Sequence, residues 1–162
     1  MAVTINLHQL EHGVVRLKGE LTPADLDLEG LDELIQVEEV VNYEFTAEKL
    51  ENSILVQGYF GLKLRCECAR CLKPFVRPLE FGNWTCHLPL EGEDAAPVAN
   101  DCVDLTPYLR EDIVLEFPQH PLCQPDCDGL PGKSTGKIEN TGGMDQTSKA
   151  LSDWAALNKL KL

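Results

Sequence analysis

Apolar and polar side chains alternate along several stretches of the first half of the chain. The stretch from Val15 to Leu21 alternates with charged residues, and the stretch from Val41 to Phe45 follows the same pattern. A period of two is typical of a strand with one buried face. The acidic stretch 21–39 between them has sparse apolar positions, and we interpret it as a long connection holding a short helix.

The longest alternating stretch covers residues 54–66, and a second apolar series covers residues 75–88. The second series changes parity at residues 82–83, Gly-Asn, which predicts a β-bulge because one inserted residue moves the following side chains to the opposite face. The two predicted strands flank the motif Cys-Ala-Arg-Cys at residues 68–71. We therefore expect a β-hairpin with two cysteines at its tip.

One amphipathic helix is predicted after Asp104, whose carboxylate is suited to capping its first turn. Apolar side chains recur every fourth position, as on one stripe of a helix: Leu105, Leu109, Ile113 and Phe117. Pro118 is expected to end the helix, because proline cannot continue one. The stripe should pack against the sheet.

The chain beyond the helix divides by composition. Residues 129–149 are rich in Gly, Ser and Thr and hold too little apolar surface to offset ordering, which predicts a flexible linker. Residues 150–162 have the pattern of a short helix. The sequence thus predicts an α+β fold, predominantly antiparallel β-sheet with one packed amphipathic helix and a flexible C-terminal tail: a β-rich domain with a cysteine knuckle over 1–128, a linker over 129–149 and a short helix over 150–162.

Length and charge narrow the class of protein. A chain of 162 residues can bury a real core without cross-links. It has no apolar run long enough for a membrane span and no readable secretory signal, so we expect a cytoplasmic protein whose cysteines are reduced. The net charge of −13 marks an acidic protein, yet residues 61–88 hold five basic side chains against two acidic ones.

This basic segment is either an ordinary solvated edge or a contact surface for nucleic acid or a protein partner. The residues predicted for such contacts are Lys63, Arg65, Arg70 and Lys73. The acidic remainder would repel bare RNA and attract a basic partner such as a ribosomal protein.

Two cysteine pairs give the most specific chemical signal. Cys68 and Cys71 are separated by two residues, and Cys123 and Cys127 by three. Thiolates at these spacings can turn toward one ion, and zinc prefers four tetrahedral ligands, so we predict a structural zinc site. Cys66 is the remaining ambiguity: it either replaces Cys68 or lies on the buried face, which the alternation favours.

The other uses of cysteine have weaker support. Cys86 and Cys102 have no close partner, and His120 is expected to be a loop residue. A redox pair normally begins a helix, whereas residues 68–71 join two strands. Four thiolates leave a metal no open position, and no phosphate loop or nucleophile motif is present, so we expect no enzyme activity and no small-molecule substrate.

Three motifs together resemble one known family. The segments CARCLKPF, VDLTPYLREDIVLEFPQHPLC and CDGL, with the closing SDWAALNKLK, are similar to those of the YceD family, the large ribosomal RNA subunit accumulation proteins. The resemblance runs from about Ile54 to the end of the chain. Cys68, Cys71, Cys123 and Cys127 fall on the family's paired cysteines, but residues 130–134, LPGKS, stand where many members have a further CxxCG.

The resemblance implies a non-enzymatic factor needed for accumulation or processing of the large-subunit (23S) rRNA. Our leading hypothesis is a binding module of ribosome biogenesis that contacts a basic ribosomal protein or pre-rRNA and has a structural zinc site. The alternative is a thiol-based protein that responds to metal or redox state, with an indirect link to rRNA.

Overall fold

The computed structural model describes residues 2–130, which form two antiparallel sheets and two helices. In chain order the elements are β1 (Thr4–Asn6), α1 (Leu7–Leu10), β2 (Val15–Leu21), β3 (Ile35–Val37), β4 (Val41–Leu50), β5 (Ser53–Glu67), β6 (Pro74–Pro89), β7 (Val98–Ala99), β8 (Cys102–Asp104) and α2 (Thr106–Leu115). The predicted linker over 129–149, apart from its first two residues, and the predicted helix over 150–162 lie outside the described residues.

The larger sheet is organised around β5. One edge of β5 pairs with β6 along its whole length, and the other edge pairs first with β4 and then with β3. β2 adds to the far edge of β4. All of these pairings are antiparallel, which confirms the predominantly antiparallel sheet expected from the alternating pattern.

Alternation along β5 separates a buried face from an outer face. The buried face carries six apolar side chains, each at most 5 % exposed: Ile54, Val56, Phe60, Leu62, Leu64 and Cys66. The predicted bulge in β6 is confirmed: between the pairs Gly58–Trp84 and Phe60–Phe81, β5 has one residue and β6 has two. The extra residue falls at residues 82–83.

Two parts of the fold differ from the sequence interpretation. The stretch 21–39 contains no helix but the three-residue strand β3, which pairs with residues 64–66 of β5. A separate sheet in the order β1, β8, β7 joins residues 4–6 to residues 102–104. The short strands of β3 and of the separate sheet form by pairing with distant segments. The sequence did not reveal them because three residues are too few to show a period.

Helix α2 follows β8 directly. The Asp104 carboxylate accepts a hydrogen bond from the Thr106 N–H at 2.9 Å, at the start of the helix. Leu109 and Ile113 are fully buried in the main core, and the Trp84 indole donates to the Asp112 carboxylate. Neither helix of the described chain is long and apolar enough to cross a membrane. The helix leads the chain to the segment that holds the second cysteine pair.

Candidate metal centre

The tip of the β5–β6 hairpin is a tight turn closed by its own backbone. The Cys68 N–H donates to the Lys73 carbonyl at 3.0 Å, and the Leu72 N–H donates to the Cys68 carbonyl at 2.9 Å. Leu72 adopts the left-handed conformation, with a φ of 59°. This turn brings the side chains of Cys68 and Cys71 to the same place.

The segment after α2 is attached to this tip by main-chain groups. The Ala69 N–H donates to the Pro121 carbonyl at 2.8 Å, and the Arg70 guanidinium donates to the Cys127 carbonyl at 3.0 Å. Gly129 has a φ of +87°, a conformation that glycine adopts readily. These contacts place Cys123 and Cys127 beside the hairpin tip.

The structure brings the four predicted cysteine ligands together. Their sulfur atoms all lie within 4.8 Å of one another, with Cys68 Sγ 3.7 Å from Cys127 Sγ and Cys71 Sγ 3.7 Å from Cys123 Sγ. All seven cysteines are free thiols. Zinc–sulfur bonds of about 2.3 Å in a tetrahedron give sulfur–sulfur edges of about 3.8 Å. The four residues therefore fit the dimensions of a zinc tetrathiolate and could hold a metal ion.

The surroundings shift the pKa values of Cys68, Cys123 and Cys127 in different directions. The backbone N–H of Cys123, with those of Cys71 and Arg70, donates to the Cys68 sulfur and lowers the pKa of Cys68 to about 6. Burial, followed by the neighbouring thiols, raises the pKa of Cys123 to about 12. The N–H of Gly129 favours the Cys127 thiolate, but burial and adjacent thiols together raise the pKa of Cys127. One thiolate is thus ready for a metal, and at least two thiols must lose protons to bind it.

The other candidate ligands lie outside this cluster. Cys66 is fully buried in the main core, where desolvation raises its pKa. Cys86 and Cys102 are half-buried, and burial raises the pKa of Cys86 to about 11. His120 is exposed. Cys66 is therefore a small residue of the core, as the alternating pattern favoured.

Three of the four predicted basic contact residues bond to other parts of the protein. Lys63 Nζ lies 3.0 Å from a Glu39 carboxylate oxygen, and Arg65 Nη1 lies 2.9 Å from Glu38. Arg70 donates to the Cys127 carbonyl, and Lys73 forms no ion pair within residues 2–130. Arg70 and Lys73 lie in the tip itself, whereas Lys63 and Arg65 lie on the outer face of β5.

Sequence reasoning missed the groups that build this site around the sulfurs. The amides that point at Cys68 and the carbonyl of Pro121 belong to the backbone, so no residue type marks them. The glutamates that bind Lys63 and Arg65 lie between β3 and β4, and only the pairing of β3 with β5 brings them close.

The tip of the longest hairpin of an antiparallel sheet meets the segment after α2 at four thiols. This arrangement defines a small protein with a candidate structural metal centre. A family model described as "Large ribosomal RNA subunit accumulation protein YceD" matches residues 56–161. The match covers more than half of the chain and includes all four cysteines. The chain belongs to the YceD family.

Curated relatives extend the comparison to mycobacteria. The chain is 26 % identical over 119 residues to proteins described as uncharacterized in Mycobacterium bovis and in two strains of Mycobacterium tuberculosis. The alignment covers 67 % of this chain and 56 % of each relative, so the chain spans just over half of their length. No solved structure matches the chain.

Proposed function

We propose that the protein is a non-enzymatic, cytoplasmic factor of ribosome biogenesis that supports accumulation or processing of large-subunit (23S) rRNA. The observation that carries this proposal is the family match over residues 56–161, which contains β5 from residue 56 onward, all of β6 and all four thiols. In this proposal the protein acts by binding a basic ribosomal protein or pre-rRNA, and zinc is a structural cofactor.

The dimensions of the thiol cluster support zinc as the ion. Four sulfur ligands close the coordination shell of a tetrahedral ion, which makes the metal structural rather than catalytic. The ion would join the tip of the hairpin to the segment after α2. That junction fixes the position of Arg70, whose side chain spans the two parts.

Elemental analysis of paired cysteine variants tests this site. Replacing Cys68 and Cys71 by serine, or Cys123 and Cys127 by serine, should each remove all zinc from the purified protein, because two thiolates do not complete the shell. Cys86→Ser with Cys102→Ser is the matched control and should keep the full metal content. Zinc retained after loss of the Cys123 and Cys127 pair would contradict a shared site.

The distribution of charge supports a division between two surfaces. Arg70 and Lys73 lie beside the thiol cluster at the tip, whereas the whole chain has a net charge of −13. The pairs of Lys63 with Glu39 and Arg65 with Glu38 are about half exposed, and such surface pairs stabilise by only about 0–1 kcal/mol. Phosphate groups can therefore compete for these side chains, while the acidic surface suits a basic protein.

Charge reversal at the tip and on the adjoining outer face of β5 tests the RNA contact. Arg65→Glu, Arg70→Glu and Lys73→Glu together should abolish co-purification of the protein with pre-ribosomal large-subunit particles, since repulsion replaces attraction to phosphate. Because Arg70 also anchors the segment after α2, the double variant of Arg65 and Lys73 should show a large loss with zinc content unchanged. Unchanged co-purification in both variants would refute the proposed contact.

A matched control reverses three basic charges away from the tip. Arg16→Glu, Lys18→Glu and Lys49→Glu change side chains of β2 and β4 and give the same change in net charge. The control should retain co-purification. An equal loss in this control would assign the effect to net charge and not to the tip.

A second candidate function is a response to redox state. The observation that favours it is the 3.7 Å separation of two sulfur pairs, Cys68 with Cys127 and Cys71 with Cys123, because oxidation could join each pair. Fast alkylation of these thiols that is independent of zinc would support this function. Protection of the thiols by bound zinc would support the structural role.

A further inference from the structure

An apolar depression of about 400 Å³ lies on the outer face of the larger sheet, away from the thiol cluster. We propose that it binds an arginine side chain from an extended, basic segment of a partner protein. This inference rests on the proposed function, because it gives the basic protein partner a defined docking point. The residues that border the depression are Asn42, Tyr59, Phe60, Gly61, Glu80, Phe81 and Gly82.

Two glycines create the space. The strand register places Asn42, Gly61 and Glu80 in one row across β4, β5 and β6, so the centre of the row has no side chain. Gly82 lies at the bulge of β6, where an added Cβ would meet nothing within 4 Å. The neighbouring row contributes Tyr59. The depression is therefore a property of the backbone register and exists without movement of any side chain.

The walls of the depression are suited to a flat cation. The Tyr59 side chain is 49 % exposed, and its hydroxyl donates to the Glu44 carboxylate at 3.4 Å. Phe81 is paired with Phe60 and stacks on it on the buried face of the sheet, so Tyr59 is the aromatic side chain that a ligand in the depression would meet. A guanidinium group stacks on aromatic faces and donates several hydrogen bonds in one plane. Arginine matches this combination better than lysine does.

The charges around the depression favour a cation over a phosphate. Glu80 is exposed and forms no hydrogen bond or ion pair with any residue in the described part of the chain. The nearby Glu44 is already paired with Lys18 at 3.2 Å. Within residues 2–130, the lining of the depression includes no basic side chain. Lys63, two residues from Gly61 on the same face, is already paired with Glu39, so within the described chain Glu80 is the unpaired charge that borders the depression and is available to an incoming guanidinium.

The test uses a fluorescent synthetic peptide of alternating arginine and alanine, and the same peptide with lysine in place of arginine. The full-length protein should bind the arginine peptide saturably and more tightly than the lysine peptide. Gly61→Leu fills the depression, and an added Cβ there makes only ordinary contacts, the nearest at 3.5 Å. We expect Gly61→Leu and Glu80→Gln each to weaken binding by about tenfold, as for loss of stacking or of a charge-assisted hydrogen bond.

Two matched controls separate the depression from general effects. Gln57→Leu adds the same apolar side chain to the same face of β5, and Glu67→Gln removes one negative charge from that face. Both should bind the arginine peptide as the unchanged protein does, and all four variants should keep its unfolding midpoint in urea. Equal losses with Glu67→Gln and Glu80→Gln, or no loss with Gly61→Leu, would overturn the proposal.

Other occupants give different results. If the protein binds single-stranded RNA and Gly61→Leu removes that binding, the occupant of the depression is a nucleobase. If the protein forms a dimer that Gly61→Leu dissociates, the occupant is a second copy of this chain. Either result overturns the proposal. If the unchanged protein co-purifies with pre-ribosomal particles but does not bind the arginine peptide, the depression loses its role while the ribosomal function stands.

Discussion

Two cysteines separated by a single glutamate have different surroundings. Cys66 and Cys68 are both fully buried, but Cys66 lies among the apolar side chains of the main core, whereas Cys68 receives backbone N–H groups. Burial is the main cause that raises the pKa of the first thiol, while the hydrogen bonds lower the pKa of the second to about 6. The difference in acidity between Cys66 and Cys68 is therefore set by backbone donors and not by depth.

The shifted pKa values of Cys68, Cys123 and Cys127 predict how zinc uptake depends on pH. Cys123, with a pKa of about 12, and Cys127, with a raised pKa, are protonated at neutral pH. Zinc binding at pH 7 should therefore release at least two protons, and zinc affinity should fall as the pH falls. The fall should steepen below about pH 6, where Cys68 also gains a proton.

Calorimetric titration of zinc in buffers with different ionisation enthalpies measures this release directly. The Cys66→Ala variant is the control, because Cys66 is outside the cluster, and it should release the same number of protons. An observed enthalpy independent of the buffer would contradict the assigned protonation states.

At the scale of secondary-structure elements, close packing of β4 against β5 depends on one glycine. A Cβ added at Gly58 would lie 2.1 Å from the Glu44 carbonyl oxygen and 2.8 Å from the Phe45 Cα, both backbone atoms that cannot rotate away. The two strands approach each other here beside the bulge in β6. Gly58 therefore permits the close pairing of β4 with β5, in the register that places Tyr59 and Gly61 on the outer face.

Gly58→Ala should consequently separate β4 from β5 and destabilise the sheet. We expect the free energy of unfolding to fall by about 3 kcal/mol, the upper range for an overpacked site. Urea denaturation followed by circular dichroism measures the change. The control is Gly61→Ala, whose added Cβ has its nearest neighbour at 3.5 Å and should change stability little. Equal stability of the two variants would show that β4 moves freely to accept a side chain.

On the scale of the whole described molecule, the thiol cluster and the main core are separate. The large core is built from the buried face of the sheet, α2 and the connections, whereas the second cluster contains Cys68, Cys71 and Cys127 with a few partly buried neighbours. Loss of a metal ion bound at the thiol cluster should leave the large core intact. The sheet should therefore not depend on zinc, unlike a zinc finger.

Removal of zinc with a chelator should leave the sheet folded. We expect the far-ultraviolet circular dichroism of the sheet to persist, while hydrogen exchange rises at the Ala69 amide, which donates to Pro121. Amides of β5 that pair with β6 beyond the tip, such as Leu62, should keep their protection and form the internal control. Collapse of the whole spectrum on chelation would contradict the separation of the two clusters.

The sequence predicted features that a local pattern can encode. Alternation defined β5, the change of parity marked the bulge in β6, and cysteine spacing selected the four clustered thiols. It did not predict β3, whose three residues become a strand only when paired with β5. The same long-range pairing brings Glu38 to Arg65 and Glu39 to Lys63. The sequence therefore could not predict that these ion pairs neutralise part of the basic segment.

The bond from the Ala69 amide to the Pro121 carbonyl has a kinetic consequence. It joins two main-chain atoms, so it holds the second thiol pair near the first without help from a bound ion. An ion captured by one pair would meet the other at a high effective concentration, without waiting for a long stretch of chain to diffuse. Loading of the centre would then be limited by proton loss from the thiols and by the supply of the ion, and not by chain closure.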